Sequence, residues 1–374
     1  MRSVRLGKVL GFEISIDWSW LLIFFLVVYT LASGYFPSLR QNFNVRTNWI
    51  LGVAAAILLF ASVLVHELSH SVVARLNGID VKGITLFIFG GISQTAEEPK
   101  SPAEEFSMSI VGPLASIILA VIFGALELLG AHSHWPGAAV ALVGYLAMIN
   151  LFLGLFNLVP GFPLDGGRVL RSIIWGATND LNKATRWASY SGQGFGYLLM
   201  TFGFFNILAL GATIGGLWLI FIGWFLTGAA RSSYEQLVVR QALSGVPVER
   251  VMTTDVPEIP SEMPVRQFVD EHLLRRDYSC YPVMKNGAVI GVVGAEEVRT
   301  IRSEMWDLTR IDEIAHHIDG AYEISATADA WEALGKLASP DICRLMVIEN
   351  GQLKGTLGRD AIYRLINTKS KLGI

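Results

Sequence analysis

Long apolar runs dominate the first 231 positions of the chain. A helix that crosses a bilayer needs about 20 mostly apolar residues, and six stretches approach or exceed that length. We therefore predict six transmembrane helices, of which the fifth is the shortest. The predicted spans are Trp18–Gly34, Trp49–Leu76, Phe106–Gly130, Gly137–Pro160, Tyr197–Leu210 and Ile214–Ala230.

The last third of the chain follows a different pattern, in which short apolar segments alternate with polar ones. Residues 246–367 form two similar halves of about 60 residues, and each half predicts a helix, a strand, a tight turn, a strand and a helix. An Asn-Gly dipeptide, a strong hairpin signal, stands between the two strands of each half, at Asn286–Gly287 and Asn350–Gly351. We therefore predict a soluble α+β unit with repeats at about 246–305 and 308–367.

The distribution of charge separates the same two parts. The first 231 positions contain 24 charged residues, whereas the last 143 contain 37. The predicted domains are a membrane-embedded domain over 1–231, a linker over 232–245 and a soluble domain over 246–374. Only 16% of all residues are charged, whereas soluble domains average about 25%. This deficit, with a net charge of −3, excludes an ordinary soluble enzyme, a disordered protein and nucleic acid as a partner.

Basic residues between the spans indicate the orientation of the chain. Six spans put both termini on one side, and if that side is the cytosol, eleven Lys and Arg residues of the membrane domain are cytosolic and two are outside. The apolar run starts too late for a cleavable signal peptide. The two cysteines, Cys280 and Cys343, are too few for a disulfide framework and suit a reducing compartment. We expect a multi-pass protein of a bacterial or archaeal cytoplasmic membrane, with an organelle membrane as the alternative.

The second span contains His66-Glu67-Leu68-Ser69-His70, which places ionisable groups where a bilayer disfavours them. A charged side chain in the middle of a spanning helix costs roughly 2.5–3.5 kcal/mol on insertion scales. Residues four apart share one helix face, so both imidazoles point the same way. In HExxH helices this arrangement binds zinc, and the glutamate acts on a water molecule. The alternative is a polar cluster that packs helices together.

A catalytic zinc site uses three protein ligands and keeps one position for water, so a third ligand is needed. His132 and His134 fall in an outer loop, and the other three histidines fall in the soluble tail. Asp165, in the Pro- and Gly-rich segment after the fourth span, reaches the same cytosolic depth as His70. We therefore predict one Zn²⁺ per chain on His66, His70 and Asp165. The alternative for Asp165 is a helix N-cap after a proline turn.

A second motif, Asn157–Pro160 followed by Pro163–Gly167, stands about 95 residues after the first. Together the two motifs resemble those of the site-2 protease family of intramembrane zinc metalloproteases, strongly over residues 45–175. The resemblance implies that Glu67 is the catalytic base and that Asn157 stabilises the oxyanion. A turn residue is the alternative for Asn157. The resemblance also implies a polar channel that admits water to the site.

Residues Ile84–Ser93 are rich in β-branched and aromatic side chains and resemble the membrane-embedded sheet segment of that family. An edge strand can capture an unwound segment by strand addition. The resemblance therefore implies that Phe89, Gly90, Gly91 and Ile92 bind substrate. The alternative is a re-entrant hairpin without a substrate role.

Two neighbouring patterns are interpreted as structural. Ser101–Pro102 before Glu104 and Glu105 predicts a helix cap followed by a solvated first turn. Gly112–Pro113, inside the third span, predicts a kink and close helix packing.

The repeats of the tail resemble a tandem pair of CBS motifs, beginning with Val251-Met252-Thr253. Such pairs commonly bind adenine nucleotides, and the resemblance implies Thr253 and Asp360 as nucleotide-binding residues. Asp360 stands one position early for the family pattern, and a helix cap is its alternative. Paired CBS motifs often dimerise, so we expect a homodimer; dimerisation and docking without a nucleotide is the alternative.

The predicted fold class is therefore a membrane α-helical domain with a small β segment, followed by a soluble α+β tandem CBS domain. The predicted function is hydrolysis of peptide bonds within or near transmembrane segments of membrane-protein substrates in the lipid bilayer. This is regulated intramembrane proteolysis, with adenine nucleotides as candidate regulators. The alternative is a CBS-regulated metal or ion transporter, which should show internal repeats across its membrane half. An inactive relative is a third hypothesis, against which the intact Glu67 argues.

Overall fold

A computed structural model of the chain describes residues 3–39, 43–88, 90–95, 99–275, 278–349 and 352–372. The chain divides into two compact units, Met1–Glu235 and Gln236–Ile374. Long apolar helices and one small sheet form the first unit. Two small sheets and short helices form the second.

Six helices among the described residues are long and apolar enough to cross a membrane, which confirms the predicted number. Many of their large apolar side chains are exposed, whereas small and polar residues such as Ser62, Ser116 and Asn150 are buried between helices. The helices of this unit are α1 (Trp18–Thr30, continued by a π-helical turn over Leu31–Tyr35), α2 (Val45–Leu76), α3 (Pro102–His132), α4 (Gly137–Asn157), α5 (Asp165–Thr178), α6 (Leu181–Leu210) and α7 (Thr213–Leu243), which continues into the second unit.

The limits of the later helices differ from the prediction. α6 begins 16 residues before the predicted start of the fifth span, Tyr197, and α7 continues beyond the predicted end of the sixth, Ala230. The added turns contain polar and basic residues, which a search for apolar runs leaves out. The short helix α5 was not predicted either, because its 14 residues are too few and too polar for a span.

A four-stranded sheet with the order β1-β2-β3-β4 belongs to the membrane unit. The segment Ile84–Ser93 belongs to this sheet, as the resemblance implied, and falls on the paired strands β3 and β4. The two N-terminal strands were not predicted. Phe12, Ile14 and Ile84 of this sheet share one apolar cluster with Leu68, which lies inside the HExxH motif. The strands are β1 (Ser3–Val9), β2 (Phe12–Asp17), β3 (Val81–Phe87) and β4 (Gly90–Thr95), and only the β2–β3 pair is parallel.

The segment between α4 and α5 packs tightly against the first two glycines of α5. A Cβ on Gly166 would overlap the backbone of Leu158, and a Cβ on Gly167 would overlap that of Gly161. The side chain of Phe162 is buried in a small cluster with Ala188. The Asp-Gly-Gly sequence therefore allows α5 to start directly against this segment.

The second unit contains one hairpin twice, as predicted. Strands β6 (Cys280–Lys285) and β7 (Ala288–Gly294) pair antiparallel, and so do β10 (Arg344–Glu349) and β11 (Gln352–Gly358). Asn286 and Gly287 have φ values of 53° and 80°, which confirms the first Asn-Gly turn. The second, Asn350–Gly351, lies outside the described residues. The other elements are β5 (Ile259–Pro260), α8 (Val265–Phe268, continued by a π-helical turn over Val269–Leu273), α9 (Ala295–Arg299), α10 (Ile311–Ile314), β8 (His316–His317), β9 (Glu323–Ile324), α11 (Ala330–Leu337) and α12 (Arg359–Leu372).

The two cysteines form a disulfide with each other, which goes against the expectation that they suit a reducing compartment. Cys280 begins β6 and Cys343 directly precedes β10, and their Cα atoms lie 6.3 Å apart. They occupy corresponding ends of the two repeated hairpins, so the repeat itself brings them together. A count of two cysteines does not reveal this arrangement. The cysteines therefore no longer support a reducing compartment, and the orientation rests on the basic residues alone.

Candidate metal centre

Helix α2 presents the two histidines on one face, as the spacing predicts. His66 is 4% exposed, and its ring lies 4.9 Å from that of His70, centroid to centroid. The two Nε2 atoms are 3.2 Å apart. Both imidazoles therefore direct the same nitrogen toward one point.

Helix α3 fixes the orientation of both rings. Nδ1 of His70 donates to the carbonyl of Met108 at 2.6 Å, and Nδ1 of His66 is 2.9 Å from the Ser116 hydroxyl. A carbonyl oxygen only accepts, so the hydrogen of a neutral His70 ring is on Nδ1, and Nε2 presents a lone pair. Met108 and Ser116 were not predicted, because they are 38 and 50 residues from the histidines that they contact.

Asp165 completes the group from the start of α5. Its Oδ2 lies 3.1 Å from Nε2 of His66 and 3.2 Å from Nε2 of His70. The N-cap of α5 is Leu164, so Asp165 does not take the capping position that was its alternative. Among the described residues, these three form a group whose ligand atoms all lie within 4.8 Å of one another and could hold a metal ion.

The donors and the space beside them fit Zn²⁺. Imidazole nitrogens and a carboxylate oxygen are ligands that this ion prefers. Gly112 of α3 borders the same point, because a Cβ on it would lie 2.8 Å from Nε2 of His66 and would overlap Nε2 of His70. Glycine therefore keeps clear the volume beside the donor atoms. Gly112 was predicted to allow close helix packing, and the structure places it against the candidate site as well.

Glu67 faces β4, the last strand in the order of the sheet. Gly91 of this strand comes so close that an added Cβ would lie 2.9 Å from Cδ of Glu67. Gly90 has a φ of 131°, in the region that favours glycine. Ile92 pairs with Thr85 of β3. Phe89, the remaining predicted substrate-binding residue, lies outside the described residues.

Asn157 is the last residue of α4. Its Nδ2 donates to the carbonyl of Leu153 in the same helix at 3.0 Å. An amide nitrogen carries two hydrogens, so this bond uses one of them. The hydrogen bonds of the described residues do not join Asn157 to the three donor residues, and its part in oxyanion binding stays a prediction.

A buried ion pair joins α3 to α5 near this centre. Nε of Arg171 donates to Oε1 of Glu105 at 2.6 Å, and Nη2 contacts the same oxygen. The expectation that Glu105 is solvated is wrong, since it is 1% exposed. The other part of that prediction holds, because Ser101 caps α3 by accepting from the amide of Glu104.

Thr253 and Asp360 lie in one polar cluster around Arg344 in the second unit. The backbones of Thr253 and Thr356 exchange two hydrogen bonds of 2.8 and 2.9 Å. Arg344, which is 1% exposed, donates to the Thr356 hydroxyl and to Asp360, each at 3.0 Å, and its guanidinium lies 4.8 Å from the ring centre of Tyr278. Burial lowers the pKa of Arg344 from its ordinary value, and Asp360 acts against this shift. Arg344 was not among the predicted site residues.

A HExxH helix and an aspartate that meet among membrane-crossing helices are typical of intramembrane zinc metalloproteases. Comparison with family models indicates the same class of protein. Residues 54–132 and 130–200 match the model described as Peptidase family M50, and residues 248–304 match that of the CBS domain.

The similarity to known proteins extends over nearly the whole chain. It is 34% identical over 371 residues to "Putative zinc metalloprotease sll0528" of Synechocystis sp., covering 98% of this chain and 96% of that one. It is 33% identical over 369 residues to "Putative zinc metalloprotease Rip3" of Mycobacterium tuberculosis, covering 98% and 93%. A solved structure, "Site-2 Protease from Methanocaldococcus jannaschii", is 29% identical with a TM-score of 0.44, covering 62% of this chain and 95% of that one.

The chain belongs to peptidase family M50, the site-2 protease family. It is a zinc metalloprotease and a multi-pass integral membrane protein, with a CBS domain in its soluble part. Family membership confirms the predicted enzyme class and does not favour the transporter alternative.

Proposed function

We propose that this chain carries out regulated intramembrane proteolysis with a zinc ion held by His66, His70 and Asp165. The observation that carries the proposal is the convergence of three donor atoms within 3.2 Å of one another, on two helices of the membrane unit. Gly112 supports it, since the absence of a side chain leaves room beside these atoms.

The side chains around the donors have separate tasks in peptide hydrolysis. When bound, Zn²⁺ supplies a Lewis acid that lowers the pKa of water toward about 7 and polarises the peptide carbonyl. Glu67 accepts a proton from the attacking water and delivers it to the leaving nitrogen. Asn157 donates an N–H to the carbonyl oxygen as negative charge develops there. The position of Glu67, one residue after His66 and against β4, supports its role.

Strand β4 holds the substrate in an extended form beside Glu67. A transmembrane helix protects its peptide bonds within its own hydrogen bonds, so it must unwind before it is cut. β4 ends the described sheet order, and an unwound segment can therefore pair with its outer edge as a fifth strand. Phe89, Gly90, Gly91 and Ile92 then line the substrate. The close approach of Gly91 to Glu67 supports this placement.

The proposed substrates are single-span or helical membrane proteins, such as membrane-tethered regulators that another protease has first shortened. The proposed location is the cytoplasmic membrane, with both termini in the cytosol. The excess of basic residues on one side of the six spans supports this orientation.

The CBS pair has a proposed regulatory role, in which an adenine nucleotide binds near Thr253 and Asp360 and the chain forms a homodimer through the pair. The position of both residues in the cluster around Arg344 supports a shared site. A nucleotide regulates proteolysis only if its affinity differs between the active and the inactive state.

The test uses the full chain in liposomes with a single-span model substrate. Wild type and Glu67→Gln are each assayed for bound zinc and for cleavage. The proposal expects one zinc ion in both and cleavage by wild type only. Cleavage by Glu67→Gln at the wild-type rate would overturn the role of Glu67, and a folded wild type without zinc would overturn the metal site. ATP and AMP are added to the same assay, where an unchanged rate argues against nucleotide regulation.

A further inference from the structure

Helix α3 holds the two histidines of the candidate centre in place. It supplies the carbonyl that binds His70 and the hydroxyl that binds His66. The third donor, Asp165, belongs to α5. The relative position of α3 and α5 therefore decides whether Asp165 lies at the right distance from both imidazoles.

One buried ion pair connects these two helices. Two nitrogens of Arg171, on α5, contact one carboxylate oxygen of Glu105, on α3. The side chains are 13% and 1% exposed, so water competes little for either charge. Charge-assisted contacts with two nitrogens are directional as well as strong. This pair is therefore suited to fixing how α5 lies against α3.

Arg171 also reaches the segment that leads into Asp165. Its guanidinium carbon lies 5.3 Å from the ring centre of Phe162, three residues before Asp165. Phe162 is itself buried against α6 through Ala188. Arg171 thus constrains Asp165 through its own helix and through the preceding segment.

We propose that Glu105 and Arg171 are positioning residues that hold Asp165 where it completes the zinc ligand set. The inference rests on the proposed metal site and assigns the pair no direct part in hydrolysis. The pair acts through α5, so its loss lowers the affinity for zinc and has little effect on the rate of the chemical step once zinc is bound.

The test measures the zinc dissociation constant of the full chain in detergent by competition with a chelator. Glu105→Gln and Arg171→Met each remove one charge at similar size. Each should raise the dissociation constant on the order of 10–100-fold, the range found for partners that orient metal ligands. Arg171→Lys keeps the charge and should recover part of the affinity. At saturating zinc, the cleavage rate of each variant should return toward the wild-type value.

A matched control is the pair Arg231 and Glu235 on α7. Nε of Arg231 lies 2.8 Å from Oε1 of Glu235, but the side chains are 74% and 59% exposed. Exposed ion pairs contribute little to the stability of a fold. Arg231→Met and Glu235→Gln should therefore leave the zinc dissociation constant unchanged.

Wild-type zinc affinity in both Glu105→Gln and Arg171→Met would overturn the inference, even if their melting temperatures fall, since the pair would then support the fold alone. If Arg171→Met does not fold, Glu105→Gln decides by the same criterion. A folded wild type that binds no zinc would instead overturn the proposed metal site, so the two failures are distinguishable.

Discussion

At the scale of single residues, the imidazole of His66 is oriented by a partner outside the donor group. Its Nδ1 is 2.9 Å from the hydroxyl of Ser116, which is fully buried. Such partners fix the tautomer and ring orientation of a metal-binding histidine. We predict that Ser116→Ala lowers zinc affinity on the order of tenfold or more, as measured by chelator competition.

Ser109 provides the control for this substitution. It lies on the same helix and is as buried as Ser116, but its hydroxyl has no hydrogen-bond partner among the described residues. Ser109→Ala should leave zinc affinity unchanged. Equal losses in both variants would show that Ser116 acts through the packing of α3 and not through His66.

Residue types at short spacing account for the part of the centre that was predictable. His66, Glu67 and His70 form one local motif, and Asp165 follows from the need for a third donor at the same depth. Ser116, Gly112 and the Glu105–Arg171 pair were not predictable as site residues. Their roles come from contacts between helices that are distant in sequence. The sequence around Glu105 looks the same whether the first turn of α3 is solvated or its glutamate forms a buried ion pair.

At the scale of elements, β4 carries the proposed substrate contact. In an added strand, alternate N–H groups point toward the neighbouring strand. We predict that N-methylation of a model substrate peptide, one residue at a time across the cut site, slows cleavage at every second position. The measurement is kcat/KM for each methylated peptide.

The intervening positions of the same peptide serve as the control, because their N–H groups point away from β4. Methylation there should change the rate much less. An effect that is equal at all positions, or confined to the cut bond, would contradict pairing with β4.

The disulfide of the second unit links its two repeated hairpins, and mass spectrometry can test it. The tryptic peptides 277–285 and 337–344 contain Cys280 and Cys343, respectively, and should appear as one linked species by mass spectrometry of the full chain purified without reductant. Reduction should separate them, and Cys343→Ser should remove the linked species. Free thiols on both peptides in oxidised wild type would contradict the pairing.

The regular elements were predictable where one strong pattern controls them. Apolar runs predicted six spans, and an Asn-Gly dipeptide predicted the β6–β7 turn. The strands β1 and β2 were missed, because their membership of the sheet depends on pairing with β3, about 70 residues later. The full lengths of α6 and α7 were missed because their polar turns give no apolar signal.

At the scale of the whole molecule, the excess of basic residues predicts that the tail is cytosolic. Protease added to intact cells or spheroplasts should leave the 246–374 segment uncut, and permeabilisation should expose it. An antibody against the tail detects the fragments, and a periplasmic protein and a cytosolic protein serve as controls. Cleavage of the tail in intact spheroplasts would contradict the orientation.

The division into an apolar first part and a charged second part was predictable at this scale, because membrane and water select different compositions. The compact units meet at Glu235–Gln236, close to the predicted end of the membrane domain. The disulfide was not predictable, since it depends on how two repeats fold against each other and not on the number of cysteines.

X-ray absorption at the zinc K-edge of the full wild-type chain distinguishes a zinc ion on two imidazoles and one carboxylate from other ligand sets. We expect one zinc ion per chain, with nitrogen and oxygen neighbours at about 2.0–2.2 Å and scattering from two imidazole rings. Asp165→Asn should change the oxygen shell or lose the ion. Sulfur neighbours at about 2.3 Å, or an unchanged spectrum in Asp165→Asn, would contradict the ligand set.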